Sequence, residues 1–208
     1  MQMKTVILAA TLAFSSIGGN AIAAMISVSV DTSPIEGSSG FLAFNFIDGD
    51  GVVNNQVVIS DFATNGTRGD LFFEGGANGS LIPGPLVIDD SELFNEALQE
   101  MGFGSSLSFR LEFTTEGPLN SAPDQFSFFL LDADFFPFAT SDVFASALFI
   151  VDIVGEQLSP EVFVSDFATV NLTETGNDVS VPEPSTFAIL ALGLFLLGAG
   201  RLKIRKEG

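Results

Sequence analysis

Short runs in which apolar and polar residues alternate are the feature that most constrains the fold of this chain. The clearest run is LSFRLEF at residues 107–113, which places four apolar side chains on one face and Ser, Arg and Glu on the other. This period of two indicates a β-strand with one face against a core. Further strand-like runs are ISVSV at 26–30, LAFNF at 42–46, QVVIS at 56–60, QFSFFLL at 125–131 and ALFIVDI at 147–153. We therefore predict an all-β protein, an antiparallel β-sandwich of jelly-roll-like type with eight or nine short strands.

One segment departs from this period and predicts a single short helix at residues 90–101. Its apolar residues would line one face of a helix; they are Leu93, Phe94, Ala97, Leu98 and Met101. Asp89 is placed to cap this helix, with Glu92 at the position of a capping box. Gly102 is placed to end it. We expect this helix to pack at an end or edge of the sandwich.

Four residue types are missing, and their absence limits the chemistry that the chain can perform. There is no Cys, His, Trp or Tyr, whereas 23 Phe provide the apolar rings for a core. Without Cys there is neither a disulfide nor a thiolate nucleophile, and without His the usual general base and most zinc sites are lost. We therefore expect a protein that is not an enzyme. Any bound metal would be a hard cation with oxygen ligands, Ca²⁺ first.

The N-terminus has the features of a secretory signal peptide over residues 1–24. Lys4 precedes an apolar run from Val6 to Phe14, and Ala21 and Ala23 form an A-x-A cleavage site. Cleavage is predicted after Ala23 or Ala24, by signal peptidase after passage through the general secretion machinery. The alternative is a retained N-terminal helix, but the apolar run is too short to span a membrane.

The segment 25–180, predicted to be the β-sandwich ectodomain, is strongly acidic. It holds 24 acidic side chains against two arginines, Arg68 and Arg110, which gives a net charge of −22. Such a surface repels nucleic acid and anionic lipid and attracts divalent cations. We therefore expect no nucleic-acid partner.

The stretch DGDG at residues 48–51 is the best candidate for a metal site. Asp48 and Asp50 stand two residues apart, separated by a glycine, so both carboxylates can turn towards one Ca²⁺. The stretch is not an EF-hand loop, because Val52, Val53 and Ile59 occupy positions where that loop needs polar residues or glycine. An acidic hairpin turn without metal explains the same residues.

Paired carboxylates raise one further alternative, a carboxylate-based glycosidase. Asp132 and Asp134 follow the strand-like run at 125–131, and Asp124 precedes it. Two such groups can act as acid and base in glycoside cleavage when they are about 5 to 9.5 Å apart. We rank this function last, because a chain with this many acids contains such pairs by chance and lacks the Trp and Tyr that stack on sugar rings.

The C-terminus combines a short apolar run with a basic tail. Phe187–Gly200 has 14 residues, which as a helix would span about 21 Å against a hydrocarbon core of about 30 Å. A marginal transmembrane helix over about 186–204 is thus predicted. The basic tail at 201–206 would stay cytoplasmic; its members are Arg201, Lys203, Arg205 and Lys206.

Residues 181–208 resemble the PEP-CTERM sorting signal of Gram-negative bacteria. Pro182, Glu183 and Pro184 match its signature, and an apolar segment and an Arg/Lys tail follow them. The resemblance implies recognition by an exosortase, transient anchoring in the inner membrane, processing near the PEP motif at 182–184, and release to the cell surface or extracellular matrix. An ordinary membrane anchor is the alternative.

The predicted ectodomain is also similar to one uncharacterised group of PEP-CTERM proteins. The similar stretches within residues 26–153 are Val30–Ser33, Ser91–Asn95, Ser105–Phe109 and Phe126–Phe128. This resemblance implies no catalytic residue. We expect an exported surface or matrix protein of biofilm or exopolysaccharide, and the alternative is a Ca²⁺- or carbohydrate-binding module.

Overall fold

The computed structural model describes residues 23–115, 122–155 and 157–175, and these residues form two antiparallel β-sheets. A three-residue 3₁₀ helix, Ser33–Ile35, is the one helical element within these ranges. The twelve strands of this part of the chain are β1 (Ala23–Asp31), β2 (Ser39–Ile47), β3 (Gln56–Thr64), β4 (Thr67–Glu74), β5 (Ala77–Gly79), β6 (Leu86–Asp89), β7 (Phe94–Gly102), β8 (Ser106–Thr114), β9 (Asp124–Asp132), β10 (Phe149–Val154), β11 (Gln157–Val162) and β12 (Thr169–Thr175).

Each sheet contains six strands. Sheet 1 has the order β12-β1-β8-β3-β6-β5, and sheet 2 has the order β11-β10-β9-β2-β7-β4. Every pairing is antiparallel. The predicted all-β, antiparallel class is thus confirmed, and the two sheets fit a β-sandwich.

The alternating runs form strands because one of their faces enters a common core. In β8 the apolar residues of the run at 107–113 are buried, and the polar residues between them lie on the outer face. The strand-like run at 125–131 lies in β9, which is an interior strand of sheet 2, between β10 and β2. The alternation of apolar and polar residues therefore predicts the buried face of a strand correctly where the buried residues are apolar.

Phenylalanine rings join the two sheets. The Phe109 ring of sheet 1 packs edge-on against Phe44 of sheet 2, with centroids 5.4 Å apart, and lies 5.2 Å from Phe128. Phe113 and Phe126 make a similar contact at 5.7 Å. Edge-on and tilted rings are favourable beyond the area that they bury, so these contacts help to fix the packing of the sheets.

The helix predicted at 90–101 is wrong, because Phe94–Gly102 forms strand β7, which lies between β2 and the edge strand β4 of sheet 2. The residues that point into the core are Asn95, Ala97, Gln99 and Met101. This is a period of two, but two of the four buried residues are polar, so an apolar pattern does not reveal it. Leu98 lies on the opposite face of the strand. In the sequence it combines with Phe94, Ala97 and Met101 into a spacing that is typical of a helix.

The buried side-chain amides of Asn95 and Gln99 on β7 form hydrogen bonds to neighbouring segments of the chain. The Asn95 amide nitrogen donates to the carbonyls of Glu92 (2.7 Å) and Phe46 (3.2 Å), and its oxygen accepts the Gly76 N–H (2.7 Å). Gln99 donates to the carbonyl of Gly69 at 3.0 Å. Because these hydrogen bonds satisfy the amides, the strand can bury them at little cost.

Candidate cation site and sorting signal

The two predicted metal ligands meet a third carboxylate at one end of sheet 2. Asp48 and Asp50 lie in the turn after β2, and Asp124 is the first residue of β9. Carboxylate oxygens of the three residues lie within 4.8 Å of one another. The pairing of β2 with β9 places Ile47 opposite Gln125, so it brings the turn next to Asp124. The sequence could not indicate this neighbour without that register.

Hydrogen bonds hold these three carboxylates in place. The Gly51 N–H donates to Asp48 Oδ1 at 2.6 Å, and the Gly49 N–H donates to Asp124 Oδ1 at 2.8 Å. Gly49 lies so close to the Pro123 carbonyl oxygen that a Cβ there would collide with it. Asp124 is only 2% exposed, so this end of the sheet places a buried carboxyl group beside an acidic turn.

A fourth carboxyl, Asp90, stands behind this cluster and is completely buried. It accepts the N–H groups of Asn55 (2.8 Å) and Asn54 (3.1 Å), and the Asn55 amide also donates to Asp124 Oδ2 at 2.7 Å. Burial raises the pKa of Asp90, the two N–H bonds oppose that shift, and the charge of Asp124 adds to it. Chemically, the arrangement offers oxygen ligands alone, which suit a hard cation such as Ca²⁺.

The structure keeps Asp124 apart from Asp132, one of the two carboxylates that follow the strand-like run at 125–131. Asp124 and Asp132 occupy opposite ends of the nine-residue strand β9, so about 26 Å separates them at the usual rise of a strand. Asp132 is instead a turn residue, whose carboxylate accepts the N–H groups of Asp134 and Phe136, both at 2.9 Å.

One of the three predicted cleavage-site residues, Ala21, lies outside the described residues. Ala23 and Ala24 begin β1, opposite Thr114 and Phe113. Cleavage after Ala23 or Ala24 would therefore leave β1 from Ala24 or Met25 onward. The predicted signal peptide thus stays a prediction.

The sorting-signal residues also lie outside the described part of the chain, as does the helix predicted over about 186–204. They are Pro182, Glu183, Pro184, Arg201, Lys203, Arg205 and Lys206. Within the ranges that the structure describes, no helix is long and apolar enough to cross a membrane.

Comparison with known proteins identifies the C-terminal segment. A family model described as the PEP-CTERM protein-sorting motif matches residues 180–206. No curated protein and no solved structure matches the chain, so the resemblance of residues 26–153 to one PEP-CTERM group stays a prediction. The chain thus carries a PEP-CTERM sorting motif, which implies an exported protein that is recognised by an exosortase and anchored transiently in the membrane before processing.

Proposed function

We propose that the β-sandwich is a non-enzymatic component of the cell surface or extracellular matrix, delivered by its sorting motif. The observation that carries this proposal is the order of parts along the chain. The last strand of the described residues, β12, ends at Thr175, and the motif begins at residue 180. The part that would be released is therefore the folded sandwich.

The chemistry of the sandwich supports the same proposal. Its outer surface is strongly acidic, which favours solubility outside the cell. The complete absence of His and Cys from the chain removes the side chains that most enzymes use as bases and nucleophiles. A matrix role requires neither.

The experiment replaces Pro182, Glu183 and Pro184 together by Ala in the native host and follows the protein in membrane and medium fractions. Loss of the released form, with accumulation in the membrane, is expected because the exosortase would no longer recognise its substrate. A matched control replaces the flanking Val181 and Ser185 by Ala and should leave release unchanged. Unchanged partitioning of the triple variant would contradict the proposal and leave the tail as an ordinary anchor.

Binding of Ca²⁺ is a second candidate function, favoured by the meeting of Asp48, Asp50 and Asp124. A cation here would offset the repulsion among three carboxylates that the fold holds together. Melting of the protein in excess CaCl₂ and in EDTA tests this function, because a ligand of the folded state stabilises it as its concentration exceeds the Kd. We expect Ca²⁺ to raise the Tm of the wild type but not that of Asp48→Asn/Asp50→Asn. Asp166→Asn, an exposed acid elsewhere, is the matched control. Equal behaviour of the wild type and the double variant would contradict a site at this position.

A further inference from the structure

A groove lies on the outer face of sheet 2, where the connection between β9 and β10 folds over strands β9, β10 and β11. Its volume is about 380 Å³, within the range of about 300–1,000 Å³ that is usual for small-ligand sites. We call it the Phe144 groove, defined by Gln125, Ser127, Phe144, Ile150, Glu161 and Phe163.

The ring that gives the groove its name is held out into solvent by a fixed turn. Phe144 is 97% exposed, yet its backbone N–H donates to the carboxylate of the buried Asp142 at 3.0 Å. The same carboxylate accepts the Ala147 N–H at 3.0 Å. Hydrogen bonds between Ser141 and Val164 tie this turn to the segment after β11. The aromatic ring therefore stands on a preorganised support, which lowers the cost of ordering it around a ligand.

The strands that line the groove contribute polar groups to it. The Gln125 amide nitrogen donates to Asp152 Oδ1 at 2.7 Å, and the Ser127 hydroxyl donates to Gln125 Oε1 at 3.4 Å. Glu161 is exposed on the neighbouring strand and adds a carboxylate to the lining. Hydrogen-bond acceptors and the Phe144 ring thus line the same groove, and the acidic residues Asp152 and Glu161 lie on its strands.

We propose that the Phe144 groove binds a neutral saccharide. The C–H face of a sugar ring is apolar and stacks on an aromatic ring, whereas its hydroxyls donate to amide, hydroxyl and carboxylate oxygens. The negative charges of Asp152 and Glu161 disfavour anionic ligands. A larger groove of about 610 Å³ on the outer face of sheet 1 has lining residues such as Ser29 and Asn171 but no aromatic ring. Of these two grooves, the one on sheet 2 combines both kinds of contact.

This inference goes beyond the proposed function and is tested independently of sorting. Protein purified from cells that express the full chain is applied to an array of neutral, uronic-acid and amino-sugar oligosaccharides. Calorimetry then measures the affinity of the neutral oligosaccharide that is retained best. The variants are Phe144→Ala, Gln125→Ala and, as the matched control, Phe136→Ala, which truncates a ring that is 68% exposed in the same connection but outside the groove.

We expect retention of a neutral oligosaccharide and at least about a tenfold loss of affinity in Phe144→Ala, the loss typical of a truncated aromatic anchor. Gln125→Ala should also weaken binding, and Phe136→Ala should not. Because Phe144 is exposed, its truncation should leave the Tm nearly unchanged. The proposal is overturned if the wild type retains no neutral oligosaccharide or only charged ones. It is equally overturned if Asn171→Ala abolishes binding and Phe144→Ala does not.

Discussion

Replacing Glu96 by Gln should stabilise the protein, because Glu96 lies next to a carboxylate of the neighbouring strand. Glu96 of β7 lies directly opposite Glu74 of β4 and, on its other side, opposite Asn45 of β2. Side chains in such pairs are about 4.5–5.5 Å apart at Cβ, and like charges there destabilise a sheet. The Asn45 amide oxygen is buried and has no hydrogen-bond partner within the described residues. A Gln at position 96 would remove one charge and supply an amide donor beside that oxygen.

The expected gain follows from these two contributions. Relief of a like-charge pair is worth about 0.2–1 kcal/mol, and a new hydrogen bond to a buried oxygen is worth about 0.5–1.5 kcal/mol. Together they predict a rise of about 1.5–10 °C in Tm for a domain of this size. Glu74→Gln should give a smaller rise, because it relieves the repulsion but leaves the half-buried Glu96 charged.

The gain should depend on pH, with a sign that follows from the pKa of Glu96. Burial raises this pKa above its ordinary value of 4.5, and the charge of Glu74 adds to the shift. The folded state therefore favours protonated Glu96. That stabilisation is fully present below pH 4.5 and is lost as the pH rises through the folded-state pKa.

The advantage of Gln should accordingly be largest near pH 7 and shrink towards pH 4.5. Thermal unfolding at both pH values measures it. Glu112→Gln on sheet 1 is the control for the change in net charge. A gain at pH 7 no larger than that of the control, or a gain that stays constant with pH, would contradict the repulsion between Glu96 and Glu74.

Three further substitutions test the packing. Phe128→Ala should cost about 3–5 kcal/mol in unfolding free energy, since this ring contacts Phe44, Phe109 and Phe149; denaturant titration measures the loss, and a cost below 1 kcal/mol would contradict the packing. Asn95→Leu should cost about 1–3 kcal/mol or more, because it strands buried carbonyl and N–H groups; an unchanged midpoint in the same titration would argue against their burial. Gly40→Ala should lower the Tm by several degrees, because its Cβ would meet the Leu131 carbonyl oxygen and the Phe103 ring; a Tm equal to the wild type would contradict the close approach of β2 and β9.

The success of sequence-based prediction depended on which residues the core buries. β8 was predicted because its buried positions hold Leu and Phe, so its polar face stands out, and β9 was predicted because its run at 125–131 is mostly apolar. β7 was not, because its core positions include Asn95 and Gln99, whose partners come from distant segments of the chain. A local pattern cannot anticipate a hydrogen bond that only the tertiary structure supplies.

The same limit applies to the candidate sites. Asp48 and Asp50 are recognisable in the sequence because they stand two residues apart in one turn. Asp124 joins them through the register of β2 with β9, which no local signal determines. The Phe144 groove could not be predicted for a related reason. The sequence does not show that Phe144 lines the same groove as Gln125, Ser127 and Glu161, because the fold alone brings these residues together.

The intact mass of the protein recovered from the medium shows whether the C-terminal motif is processed. We expect a single species that begins at Ala24 or Met25 and ends near Pro184, so that it lacks the apolar run and the basic tail. A released protein whose mass still includes residues 187–206, or a protein found only at that mass in the membrane, would contradict this processing.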